Sequence, residues 1–60
     1  MTYYRAIAYN KDSMTFVFHF YHQNWNDINV KAAATLVNII KDDPLHQKNG
    51  PWYIRNIDVA

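Results

Sequence analysis

Between residues 14 and 21 a large apolar group falls at every second position: Met14, Phe16, Phe18 and Phe20 alternate with Thr15, Val17, His19 and Tyr21. A period of two is the pattern of an extended strand with one buried face, because successive side chains project to opposite sides. This segment therefore belongs in a sheet, and its phenylalanine face needs a second layer against it.

Residues 2 to 9 form another β-branched and aromatic run, joined to the first by Asn10-Lys11-Asp12-Ser13, residue types that favour turns. The two runs predict a hairpin. Alternation offers either Tyr4, Ala6 and Ala8 or Tyr3, Arg5, Ile7 and Tyr9 as its inward set. A four-residue loop would pair Tyr9 with Met14 and bury Arg5 beside Phe18, whereas a bulged hairpin pairs Ala8 with Met14 and Ala6 with Phe16. The bulged form is preferred here. Alanines facing phenylalanines leave room for a helix, and Arg5 stays in water rather than being buried without a partner.

From about Ile28 the spacing turns helical. Val30, Ala32, Ala33, Leu36, Val37, Ile39 and Ile40 fill one half of a helical wheel, with Lys31, Thr35, Asn38, Lys41 and Asp42 opposite. Asn26, Asp27 or Asn29 can cap the start, and Asp43-Pro44 ends the helix because proline disfavours helical geometry in the residue before it. An apolar half-cylinder is wider than the stripe of roughly 100° usual for a surface helix, which predicts contact with more than its own sheet. Leu45 to Gly50 reads as a polar connection, Asn49-Gly50-Pro51 as a turn, and residues 52 to 59 as a third strand.

The expected fold is α+β, a single domain over residues 1–60 in the order ββαβ. A right-handed crossover places the third strand beside the first, giving a three-stranded antiparallel sheet in order 2-1-3 with one helix on one face. The expected core joins Phe16, Phe18, Leu36, Val37, Ile40 and Ile54. Ile7, Thr15, Val17 and Ile57 fall on the opposite, open face, together with Tyr3, Arg5, Tyr9, His19, Tyr21, Tyr53 and Arg55.

Sixty residues make a marginal monomer. Folding at this size hides about 60% of the open chain's surface. Apolar burial then returns about 90 kcal/mol, and ordering the chain costs about the same. With no cysteine there is no disulfide to add stability, and oligomerisation is the remaining route. The predicted second strand points the same way. It lies at a sheet edge and lacks the lysine, proline and glycine that blunt edge pairing.

Charge and motif content narrow the function. Four lysines and two arginines stand against five aspartates, so the net charge is +1 and there is no strong polyanion signal. Residues 1 to 5 do not resemble a basic leader, and no apolar run approaches the roughly eighteen residues of a membrane span. A cytoplasmic protein without membrane contact is expected. The single glycine excludes phosphate-cradling glycine loops. Ser13 sits in a turn, and Asp42 and Asp43 point about 100° apart on a helix, which does not make a shared-proton dyad. His19, His22 and His46 match no ligand spacing, and the offset of three turns the first two to opposite faces of a strand. Neither enzymatic activity nor a metal or cofactor is expected.

The open face is the candidate binding surface, through Tyr3, Arg5, Tyr9, His19, Tyr21, Tyr53 and Arg55. Tyrosine and arginine are the residues enriched at protein interfaces. The expected function is a small protein-interaction or regulatory module, homodimeric, binding another protein through this face or through the edge of the second strand. The alternative is a single-stranded RNA or DNA binder, with bases stacked on tyrosines and phosphates neutralised by arginines.

Overall fold

The computed structural model covers residues 1–60. In chain order it has strand β1 (Thr2–Tyr9), strand β2 (Thr15–His22), a 3-10 turn (Trp25–Asp27), helix α1 (Ile28–Lys41), helix α2 (Pro44–Asn49) and strand β3 (Tyr53–Val59). β1 is the central strand, antiparallel to both neighbours, in the order β2-β1-β3. One face of the sheet packs against α1. The expected α+β architecture is the one the chain adopts.

The hairpin keeps the expected faces but not the expected register. Ala8 pairs with Phe16, Ala6 with Phe18 and Tyr4 with Phe20, two residues from the predicted Ala8–Met14 pairing. The cause is the turn. Ser13 takes a left-handed conformation at φ 63°, its N–H donates to Asn10 O at 3.2 Å, and Asn10 N–H donates to Met14 O at 3.1 Å. This closes a three-residue loop over Lys11–Ser13. A slip of two residues leaves every side chain on its original face, which is why the alanine-in, arginine-out assignment survives. Met14, expected inside, lies in the closing pair and is 44% exposed.

The core joins Tyr4, Ala6, Ala8, Phe18, Phe20, Ile28, Ala32 and Leu36, with Phe16, Ile40 and Ile54 partly buried around it. Ala6, Ala8 and Ala32 have no exposed surface: these small side chains leave room for α1 to pack against the inner face of both β1 and β2. Val37 was expected in this core and is not there. It is 62% exposed, as Val30 is at 71%, because both project from the side of α1 that faces away from the sheet.

Both ends of α1 differ in detail from the sequence reading. The Asn24 side chain accepts from Asn26 N–H and so caps the preceding 3-10 turn, while Asp27 makes no side-chain cap. Asp43-Pro44 both ends α1 and starts α2. The Asp43 carboxylate accepts from Leu45 N–H at 3.1 Å and His46 N–H at 3.3 Å, and Pro44 occupies the first turn, where its missing N–H costs nothing. The segment read as a polar connection is therefore a short helix.

β3 contains an irregularity that alternation does not foresee. Ala8 pairs with Ile54 and Ile7 with Arg55, yet Arg5 pairs with Asp58, so two residues, Asn56 and Ile57, stand opposite Ala6. Asn56 sits at φ 57°, the left-handed conformation a bulge uses. The extra residue returns Ile57 to the inner face, where it packs against the core beside Ile54. Ile57 is thus not on the open face, and Asp58 takes that place.

Candidate functional site

The open face brings together all seven residues assigned to it. On the β1–β2 side, Tyr3 stacks on His19 with ring centroids 5.3 Å apart and leans on Tyr21 at 4.6 Å. On the β1–β3 side, Tyr9 and Tyr53 lie 5.5 Å apart, and the Arg55 guanidinium sits 5.6 Å from the Tyr9 ring centre. Between these clusters Ile7 is half-buried. Cross-strand register explains both groupings, since Tyr3 is directly opposite Tyr21 and Tyr9 directly opposite Tyr53.

Neither arginine on this face is unengaged. Arg5 is 3.8 Å from Asp58, a pairing created by the β3 bulge, and Arg55 is held over a tyrosine ring. Both side chains of the Arg5–Asp58 pair are more than half exposed, so the contact contributes little stability. Its consequence is electrostatic. With Asp58 present the face carries two cations and one carboxylate, and its field is weak.

The exposed edge of β2 is the second feature. Antiparallel ladders alternate between residues that bond to the neighbour and residues that face away. The Asn10–Met14 contact starts the β1–β2 ladder on even-numbered residues, while Ala60 N–H donates to Tyr3 O at 2.9 Å and so the odd-numbered residues of β1 face β3. On β2 the backbone groups of Thr15, Val17, His19 and Tyr21 therefore point away from the sheet. These are the same residues whose side chains form the open face. All eight β1–β2 pairs are in continuous register. The opposite edge is different, because the bulge at Asn56 interrupts β3.

The histidines go to three separate places. His19 is on the open face. His22 Nε2 is 2.5 Å from Asp27 Oδ1, and this hydrogen bond holds the Asp27 carboxyl below its ordinary range. His46 lies 4.4 Å from the Phe16 ring and 5.6 Å from Trp52. Its Nδ1 approaches Asp43 Oδ2 at 2.7 Å without making a directed hydrogen bond. No three His, Asp, Glu or Cys side chains gather as metal ligands.

Two structural features escape the sequence reading. Asn10 is 3% exposed. Its Oδ1 accepts from Asp12 and Met14 N–H at 3.0 and 2.9 Å, and its Nδ2 donates to Asn49 O at 2.9 Å. A groove also opens between the start of α1 and β3, with Trp25, Ile28, Ile54 and Ile57 as apolar lining and Asn26, Asn29 and Asn56 as polar lining. The signal for it is the spacing of Ile54 and Ile57, which share one strand face only across a bulge.

No protein-family model, curated protein or solved structure matches the chain. No helix is long and apolar enough to cross a membrane.

Proposed function

We propose that this chain is a small homodimeric interaction module, acting in the cytoplasm, that offers its open sheet face to a protein partner. The observation that carries the reading is the β2 edge. Eight regular residues, free of Lys, Arg, Asp, Glu, proline, glycine and bulge, border a surface where Tyr3, Val17, Tyr21 and Tyr53 are each at least 42% exposed. Edges of this kind invite strand pairing, and exposed aromatic surface beside one favours a protein contact. The engagement of Arg5 with Asp58 and of Arg55 with Tyr9 weighs against phosphate binding.

Light scattering tests the assembly. One chain is 7.1 kDa, so a dimer reads about 14 kDa at micromolar concentration, with a melting temperature that rises with concentration. A 7.1 kDa species with a concentration-independent melting temperature contradicts the reading. Titration of labelled single-stranded oligonucleotides at about 50 mM salt tests the other ligand class. Micromolar binding lost in the Arg5→Ala/Arg55→Ala variant would replace the protein partner with a nucleic acid.

A further inference from the structure

The two features of the open side do not compete for the same partner, because strand pairing at the edge leaves the sheet face uncovered. We propose that the β2 edge is occupied by β2 of a second copy, antiparallel, about a twofold axis at Phe18. In this register Val17 lies opposite the partner's His19 and Thr15 opposite the partner's Tyr21. This rests on the homodimer reading and assigns the surface that makes it.

The register follows from which backbone groups are free. Thr15, Val17, His19 and Tyr21 each present one N–H and one C=O outward. A twofold axis at Phe18 sets residue 15 against 21 and 17 against 19. Four residues in each of two copies then give eight N–H···O bonds, two for each of four pairs. Phe18 meets its own mate as a non-bonded pair. A slip of two residues one way sets Tyr21 against Ser13, which lies in the turn at φ 63° and outside the strand. A slip of two the other way sets Thr15 against Gln23, past the end of β2 at His22. Each of these loses ladder bonds, and a slip of one residue turns the phenylalanines of one copy to the open face of the other.

The surroundings permit the approach. No residue of β2 is Lys, Arg, Asp or Glu, so no like charges meet. α1 packs on the inner face of the sheet against residues of both β1 and β2. The outward backbone groups of β2 lie in the plane of the sheet, and the side chains of Thr15, Val17, His19 and Tyr21 beside them are exposed, so the helix layer does not cover the edge. Val17 is 52% and Tyr21 58% exposed, and each gains a cross-strand neighbour from the second copy.

Crosslinking reads the register directly, because the natural chain has no cysteine. Two full-length variants are made, Val17→Cys and His19→Cys, both at exposed positions outside the core. Mild oxidation of a mixture should give the mixed disulfide dimer in several-fold excess over either self-linked species, since Cα atoms of a directly opposed pair are about 5.5 Å apart, within disulfide reach. Self-linking of Val17→Cys alone, or of His19→Cys alone, would show a register slipped by two and overturn the Phe18 axis while leaving the edge dimer. A dimer by light scattering that crosslinks at none of these positions would place the interface elsewhere and overturn the edge assignment. A monomer by light scattering would remove the homodimer reading itself.

Discussion

Asn10 shows how one buried polar side chain can join parts of a small fold that have little apolar contact. Its carboxamide accepts two backbone N–H groups of the hairpin turn and donates to the last carbonyl of α2. Replacing it leaves those partners short of a bond in a part-buried site. Asn10→Ala should cost roughly 1 to 3 kcal/mol, read as a lower denaturant midpoint with an unchanged slope. An unchanged midpoint would mean that the turn closes without the side chain. At the surface, the His22 hydrogen bond lowers the Asp27 pKa from its ordinary 3.8. A carboxyl whose folded value is depressed stabilises the fold above its unfolded pKa, and that contribution disappears as pH falls through the folded value. A carbon-13 titration should place the Asp27 carboxyl below 3.8, and His22→Ala should return it towards that value. No difference between the two proteins would contradict the bond.

At the scale of elements, period and face were readable, while the exact pairing depended on two left-handed residues. The phenylalanine alternation of β2 identified the inner face, and Phe18 and Phe20 are buried there. Phe18→Ala should therefore cost about 3 to 5 kcal/mol, enough to unfold most of a domain this size, and circular dichroism would report it. A folded variant with an unchanged midpoint would contradict the inward face. What alternation could not supply was backbone conformation at single positions. Ser13 and Asn56, both at positive φ, shift the hairpin register by two residues and turn Ile57 inward. Serine is an unremarkable turn residue, but asparagine inside an apolar strand is a usable signal, since it tolerates this conformation better than most residues. Asn56→Val should lose about 1 to 2 kcal/mol relative to Asn56→Gly, because a β-branched side chain is strained there. Equal stability of the two would mean that the bulge can straighten. α2 was missed for another reason: six residues are too few to show a helical period, although Asp43-Pro44 is a recognisable helix start.

At the scale of the whole molecule, the sheet has two edges, and only one of them is regular. The seven open-face residues were legible from alternation once the inward set of β1 was chosen, and the structure gathers six of them in two aromatic clusters, with Arg5 set against Asp58. The Arg5–Asp58 contact was not legible, because Asp58 reaches that face only through the bulge. The central claim concerns four backbone amides, those of Thr15, Val17, His19 and Tyr21, which the sheet of one chain leaves without a partner. Amide hydrogen exchange measures them individually, with Phe16, Phe18 and Phe20 as internal controls bonded to β1. The edge dimer predicts that the four exchange slowly at concentrations where two chains associate and faster on dilution, while the three controls stay protected. Fast exchange at all four positions in a sample shown to be dimeric, beside protected phenylalanine amides, would contradict it.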